Sequence, residues 1–256
     1  MDLLVTLSSP HNVETITTRM MHTLRHASDQ NLKRHVIHSI LQCAGACAPT
    51  RIWYTIKMVR LLVLGRELVP ADVIHNIMSI VSQGEEEEEE GEGGVERARA
   101  RTRRLRREVI EETVRCVDLL GIATSPLLTR LMVWMIGFYG TAILSPSLTL
   151  KDLIHRMLHI LDHPLDQATR YLTIRGVIHL ACLSAEEDDV SKVKREVKKF
   201  CESSSADVQQ MSWEFGQILT SSISLNLKSL GDSGWCAALT FSSLYNSFLN
   251  FLYYIY

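Results

Sequence analysis

Apolar side chains recur at intervals of three and four residues along almost the whole chain up to about residue 220. Such a spacing places apolar residues on one face of a helix, whereas a half-buried strand alternates with a period of two. No useful stretch before residue 220 alternates in that way, so the sequence predicts an all-α chain. Two clear runs are Val13, Ile16, Met20 and Leu24, and later Leu153, Ile154, Met157, Leu158 and Leu161.

One predicted helix is apolar around most of its circumference. Ser125 is a favourable N-cap, and Pro126 suits the first helical position, where a missing backbone donor has no cost. Nearly every residue from 127 to 136 is apolar, which indicates a helix buried among other helices. Gly137 and Gly140 follow, and the absence of a Cβ permits either a turn or the close approach of another backbone.

The six prolines, at positions 10, 49, 70, 126, 146 and 164, lie mostly between these periodic segments. Proline is tolerated at helix starts and excluded from helix interiors, so these positions predict the joints between helices. The spacing fits a recurring unit of roughly 40 residues made of two helices, as in HEAT and armadillo repeats. We therefore predict a HEAT/armadillo-like α-solenoid of antiparallel helix pairs over residues 1–220.

The composition changes abruptly between residues 84 and 102. Residues 85–90 are all glutamate, three glycines follow, and seven arginines lie between Arg97 and Arg107. The favoured interpretation is a disordered loop over 84–102 whose acidic and basic halves neutralise each other, with helix resuming near Arg103. The alternative makes the arginine cluster a phosphate or phosphoinositide site.

The last stretch, residues 221–256, forms an atypical apolar tail. No charged residue follows Asp232, and this uncharged run is long enough to span a bilayer. Its serines and asparagines weaken that interpretation. A tail anchor, a partner-binding or poorly packed terminus and a truncated or misassembled reading frame all stay open. Testing the chain with and without residues 221–256 on carbonate-washed membranes separates the first from the others.

No pattern in the sequence predicts catalysis, a metal or a cofactor. His22 and His26, like His155, His159 and His163, recur every fourth residue, but a zinc site needs further ligands and HExxH is absent. Six cysteines without a CxxC pair are typical of thiols in a reducing compartment, and no secretory leader is recognisable. A net charge of −2 gives no general attraction to nucleic acid, which is not an expected partner.

Four short motifs, in order along the chain, resemble the trunk of the large adaptin subunits of adaptor-protein (AP) complexes. They are a helix start "NVE" in residues 9–14, "APxxxWY" in 48–54, "W-hydrophobic-hydrophobic-G-x-Y-G" in 134–140 and "D-hydrophobic-Q-Q-x-x-x-E" in 207–214. The family-motif positions, interpreted as structural, are Asn12, Val13, Pro49, Trp53, Tyr54, Trp134, Gly137, Tyr139, Gly140, Asp207, Gln209, Gln210 and Glu214. Phe138 and Met211 depart from the pattern, because the family usually has Glu and Arg there.

The resemblance implies a scaffold subunit rather than an enzyme, of the gamma or epsilon type with epsilon nearest, covering the C-terminal part of the trunk. The implied partners are a beta-type large subunit, a medium and a small subunit, with cargo and membrane engaged indirectly through the complex. The implied location is cytoplasmic, peripheral on trans-Golgi network and endosomal membranes and coated vesicles. Two alternatives stay open, a generic HEAT/armadillo protein-binding module and a tail-anchored membrane protein with a helical cytosolic domain.

Overall fold

The computed structural model describes residues 5–84, 94–122, 125–184 and 186–221, with the backbone alone for 214–221. Within these ranges the chain forms ten α-helices and no strand, which confirms the all-α prediction. Short 3-10 turns follow the third and sixth helices, at Arg66–Leu68 and Gly140–Ile143. The helices are α1 Val13–His26, α2 Gln30–Cys47, α3 Arg51–Gly65, α4 Asp72–Gln83, α5 Gly94–Leu120, α6 Pro126–Tyr139, α7 Leu150–Leu161, α8 Gln167–Leu183, α9 Glu187–Lys198 and α10 Ala206–Ser221.

Side-chain caps and prolines mark several of the helix starts. Asp29 accepts a hydrogen bond from the backbone N–H of Leu32, and Thr50 accepts one from Trp53, so each satisfies a donor of the first turn. Thr149 and Asp152 form a reciprocal capping box at the start of α7. Helix α6 begins at Pro126, as predicted. The helix boundaries are therefore encoded locally.

The cap at the start of α8 gives a stability prediction. The Asp166 carboxylate accepts from the backbone N–H of Thr169 at 3.0 Å and from its hydroxyl at 2.5 Å. Replacing Asp166 by alanine is expected to lower the free energy of unfolding by about 1–2 kcal/mol, measured by urea denaturation. Asp162→Ala, at the exposed C-cap of α7, is the matched control and should change stability by less than about 0.5 kcal/mol. Equal losses in the two variants would contradict the capping role.

The chain divides into two compact units, Met1–Met135 and Ile136–Tyr256, and the boundary falls inside α6. In the first unit α1 packs along α2, and α3 contacts α1, α2, α4 and α5. In the second unit α7 packs along α8, and α9 and α10 also contact α8. Each unit therefore has one helix, α3 or α8, against which most of its neighbours pack.

Helix α6 is buried as its composition predicts. Leu128, Leu131 and every residue from 132 to 136 are at most 5% exposed. The segment Pro126–Ile143 has a mean hydropathy of 1.2 and is long and apolar enough to cross a membrane by length and composition alone. However, 61% of it is buried inside the fold, which is the pattern of a core helix.

The prediction of a disordered segment over 84–102 is wrong for residues 94–102, because α5 begins at Gly94 rather than near Arg103. Arginine, alanine and glutamate are strong helix formers, and carboxylates follow several arginines at the favourable spacing. Arg104 and Arg107 pair with Glu108 and Glu111 at 2.6 and 2.9 Å. The acidic run 85–90 and the tail from residue 222 lie outside the described residues.

The C-terminal end of α4 is bound by one arginine from α5 and one from α3. Arg106 donates from Nε to the carbonyl oxygen of Val81 at 3.1 Å and from Nη2 to that of Ser82 at 3.2 Å. Arg51, on α3, donates to the carbonyl oxygen of Gly84 at 2.5 Å. The last carbonyl groups of a helix have no hydrogen-bond partner within that helix, and these guanidinium groups donate to them. The positive charge of the arginines also interacts favourably with the negative, C-terminal end of the helix dipole.

Candidate functional site

The first two motifs meet in one cluster of side chains between α1 and α3. The indole N–H of Trp53 donates a hydrogen bond to the Glu14 carboxylate. Lys57, one turn after Trp53, places its Nζ 2.9 Å from Oε1 of Glu14. The helix start "NVE" and the "WY" junction are therefore parts of a single contact, although 39 residues separate Glu14 from Trp53.

Lys57 is the residue of this cluster that sequence reasoning missed. Its side chain is only 7% exposed, and its Nζ also donates to the hydroxyl of Thr18 at 3.2 Å and lies 5.5 Å from the centre of the Trp53 ring. Hydrogen bonds from Lys57 and then Trp53 lower the pKa of Glu14 below its ordinary value. A buried ammonium needs partners of this kind, because an unpaired buried charge is strongly unfavourable.

Asn12 and Val13 secure the chain just before this cluster. The side-chain oxygen of Asn12 accepts from the backbone N–H of Ser9 at 2.7 Å, and its amide donates to the carbonyl oxygen of Leu7 at 2.9 Å. Val13 is fully buried. Asn12 therefore folds the preceding loop onto the start of α1, and Val13 anchors that start in the core.

Pro49 and Tyr54, from the second motif, line a groove of the first unit with a volume of about 840 Å³. The groove lies among α2, α3, α4 and α5, and its charged lining residues are arginines. Burial raises the pKa of the Tyr54 hydroxyl, and a hydrogen bond with the Asn76 side chain opposes that rise. The groove combines apolar surface with cationic and hydrogen-bonding groups, a lining that is typical of ligand sites.

The two glycines of the third motif lie at close contacts within the second unit. A Cβ placed on Gly137 would lie 2.6 Å from the Cα of Gly176, on α8. A Cβ on Gly140 would lie 3.0 Å from Cδ1 of Leu153. Trp134 is buried on the same helix, and Tyr139 is half-buried. A glycine is therefore required at position 137, because the backbones of α6 and α8 approach too closely there for a side chain.

Phe138, where the family pattern has Glu, contacts two cationic or titratable side chains of α8. Its ring stacks on His179 at 5.9 Å between centroids, and the Arg175 guanidinium lies 5.4 Å from its centre. Arg175 is 7% exposed, and its Nε has no hydrogen-bond partner. Burial lowers the pKa of both Arg175 and His179. The departure from the pattern therefore leaves a buried arginine beside an aromatic ring instead of a carboxylate.

A glutamate at position 138 is expected to pair with Arg175. Phe138→Glu should be more stable than the isosteric Phe138→Gln by about 1–2 kcal/mol at neutral pH, because a charge-assisted hydrogen bond is stronger than a neutral one. The measurement is urea denaturation of both variants, each repeated with Arg175→Met. The difference should vanish in the Arg175→Met background, and a difference that persists there would contradict the pairing.

The fourth motif lies at the start of α10 and is largely exposed. Asp207, Gln209 and Gln210 are exposed, whereas Val208 is fully buried and Trp213 is 61% exposed. Met211, where the family pattern has Arg, is half-buried, and the side chain of Glu214 lies outside the described residues. This motif therefore presents polar groups and one large aromatic side chain at the surface of the second unit.

The described part of the chain brings together no group of three His, Cys, Asp or Glu that could hold a metal ion. The ring centroids of His22 and His26 are 4.5 Å apart, and those of His159 and His163 are 5.0 Å apart. The members of each pair lie four residues apart, with their rings tilted or edge-on to each other. Among the residues that the structure describes, the four motifs contribute helix contacts, lining of a groove and an exposed face.

Residues 1–223 match the family described as the adaptin N terminal region, and this span includes all four motifs. A comparison with curated proteins finds no match. The family consists of helical HEAT/armadillo-like solenoids, which agrees with the ten helices described above. Its members are large subunits of adaptor complexes in vesicle trafficking, cytosolic and peripheral on membranes, and they are structural scaffolds rather than enzymes. The chain belongs to the adaptin family.

Proposed function

We propose that this chain is a scaffold subunit of an adaptor complex that sorts cargo at trans-Golgi network or endosomal membranes. The gamma and epsilon types are the nearest in their motifs, with epsilon favoured. The proposed partners are a beta-type large subunit, a medium subunit and a small subunit, and cargo and membrane are reached through the complex. Stacked helices suit this role because they present side chains over a long surface.

The observation that carries the proposal is the exposure of the fourth motif on α10. The first and third motifs contain buried positions that hold helices together, such as Val13, Trp134 and Gly137. In contrast, Gln209, Gln210 and the indole of Trp213 lie at the surface. Exposed aromatic residues surrounded by polar ones are typical of the central contacts of protein interfaces. We infer that this face of α10 contacts another adaptor subunit.

Affinity purification of the tagged chain from its own cells, with identification of bound proteins by mass spectrometry, tests this function. We expect beta-type, medium and small adaptin subunits to be recovered together. The double variant Gln209→Arg/Trp213→Arg should recover about tenfold less of at least one of them, because two charges would face the interface. Recovery of no adaptor subunit by the unmodified chain would refute the proposal.

A matched control shows whether the face of α10 is specific. His155 and His159 form an exposed pair four residues apart on α7, so His155→Arg/His159→Arg adds arginines at the same spacing on another surface. This variant should recover the subunits as the unmodified chain does. Equal losses in the two double variants would show that the face of α10 has no special role.

A further inference from the structure

We propose that Arg175 binds an aspartate or glutamate side chain of another adaptor subunit, at a cluster that Arg175 forms with Phe138, Tyr171 and His179. These four residues, here called the Arg175 cluster, come from the C-terminal end of α6 and from α8, within the second unit. The inference rests on the proposed function for its partner, and it adds a contact to the one proposed for the face of α10. Its physical basis is a buried positive charge to which the described part of the chain supplies no carboxylate.

Arg175 is one of two buried cations among the residues that the structure describes. The other is Lys57, whose Nζ lies 2.9 Å from Oε1 of Glu14. The Arg175 guanidinium has a hydrogen bond with the Tyr171 side chain and faces the Phe138 ring, and its Nε has no hydrogen-bond partner. No carboxylate in the described ranges acts on it. A guanidinium stays protonated when it is buried, so the charge of Arg175, unlike that of Lys57, is left without a counterion.

The burial of Arg175 favours binding of a carboxylate. An exposed arginine loses bound water when it pairs inside an interface, and this cost cancels much of the attraction. Arg175 has already lost most of its water on folding, which is why its pKa is lowered. Tyr171 and Phe138 also hold the guanidinium in place, so less side-chain entropy is lost on binding. The charge is therefore preorganised for an anion.

The surroundings of the charge suit a protein side chain better than a small anion. Phe138, Tyr171 and His179 are half-buried, so each keeps part of its surface accessible to a partner. Leu183, four residues after His179 on α8, is 44% exposed. Arginine and aromatic residues are enriched in the central contacts of protein interfaces. A small anion would use the guanidinium alone, whereas an acidic residue within a protein segment also covers the rings and Leu183.

A membrane surface is a less suitable occupant than a protein. Anionic lipids attract clusters of several lysines or arginines. The Arg175 cluster has one permanent cation, because burial lowers the pKa of His179 from its ordinary value of 6.5 and keeps the imidazole neutral at neutral pH. One guanidinium beside aromatic rings suits one carboxylate.

Affinity purification of the tagged full chain tests the proposal through the variant Arg175→Met. We expect this variant to recover at least one of the beta-type, medium and small subunits about tenfold less well, because the carboxylate of the partner would be buried without its arginine. Its midpoint in urea should be no lower than that of the unmodified chain, since an unpaired buried charge is removed. Full recovery of every subunit by Arg175→Met would overturn the proposal.

Arg195→Met is the matched control for the loss of one arginine. The Arg195 side chain lies on α9 of the same unit and is 72% exposed, so this variant should recover the subunits as the unmodified chain does. Equal losses in Arg175→Met and Arg195→Met would show that net charge alone is responsible, and would overturn the proposal.

A carboxylate built into the chain should compete with the carboxylate of the partner. Phe138→Glu and Phe138→Gln both remove the ring, but only the glutamate can neutralise Arg175. We expect Phe138→Glu to have the higher urea midpoint and yet to recover about tenfold less of the same subunit than Phe138→Gln does. A purely structural role of Arg175 would change stability and recovery in the same direction. Equal recovery by the two variants would overturn the proposal.

The unmodified chain separates failure of this inference from failure of the proposed function. If it recovers no adaptor subunit, the proposed function is refuted and this inference with it. If it recovers them and Arg175→Met recovers them equally, this inference alone is refuted. Vesicles containing phosphoinositide form the last arm, and we expect no sedimentation with them that depends on Arg175. Sedimentation that is lost in Arg175→Met would assign the cluster to lipid and overturn the proposal.

Discussion

Replacement of Gly137 by alanine is expected to lower the free energy of unfolding by about 2–3 kcal/mol. The new Cβ would lie 2.6 Å from the Cα of Gly176, and a backbone atom cannot move aside as the end of a flexible side chain can. Helices α6 and α8 would have to separate, and the contacts of Phe138 with Arg175 and His179 would be lost with them. Urea denaturation followed by circular dichroism measures the change.

Gly45 provides the matched control, because it also lies inside a helix. A Cβ placed there has nothing within 4 Å. Alanine has a higher helix propensity than glycine, so Gly45→Ala should stabilise the chain by about 0.5–1 kcal/mol. Both substitutions replace glycine by alanine, but their effects on the free energy of unfolding should have opposite signs. A neutral or stabilising Gly137→Ala would contradict the close contact between α6 and α8.

Replacement of Glu14 by glutamine is expected to destabilise the chain by about 2–3 kcal/mol. The Lys57 side chain is 7% exposed and would lose its carboxylate partner, which leaves a buried ammonium with the hydroxyl of Thr18 and the Trp53 ring. Loss of one partner of a fully buried pair costs about 3–5 kcal/mol, and the exposure of Glu14 reduces that value here. Urea denaturation at neutral pH measures the loss.

The control is Lys57→Met, which removes the charge together with its need for a partner. This substitution should cost less than about 1 kcal/mol, and the double variant Glu14→Gln/Lys57→Met should be more stable than Glu14→Gln alone. If Lys57→Met destabilised the chain as much as Glu14→Gln did, the loss would come from general packing in the cluster rather than from an unpaired charge.

The ion pair between Glu14 and Lys57 predicts that the free energy of unfolding depends on pH. Because its folded-state pKa is depressed, mainly by the hydrogen bond from Lys57, Glu14 stabilises the fold above its ordinary, unfolded-state pKa of 4.5. This contribution is lost as pH falls through the lower folded-state value. The difference in stability between the unmodified chain and Glu14→Gln should therefore be full at neutral pH and shrink in acid. A difference independent of pH would contradict the ion pair.

The sequence predicts the elements whose signals are local. The apolar run from 127 to 136 and the Ser125-Pro126 start identify α6, and the structure shows that helix beginning at Pro126 and buried. For residues 94–102 the charge composition indicates a loop, but most of these residues are arginine, alanine or glutamate, which are strong helix formers, and the helix begins at Gly94.

Contacts between distant residues could not be predicted from local patterns. Lys57 occupies a helix in which apolar residues recur, and its burial is explained only once Glu14 and Trp53 are seen beside it. The contact between Gly137 and Gly176 is likewise invisible in either helix alone. The sequence shows that Phe138 departs from the family pattern. Only the packing of α6 on α8 shows that a buried arginine, Arg175, lies beside it.

Co-expression with the beta-type, medium and small adaptin subunits of the same genome tests whether this chain assembles into an adaptor complex. Size-exclusion chromatography with light scattering then measures the mass of whatever contains this chain. We expect a stable complex with one copy of the chain and one beta-type subunit, weakened by Gln209→Arg/Trp213→Arg. Elution of this chain apart from every adaptor subunit, while its helical fold stays intact, would contradict it.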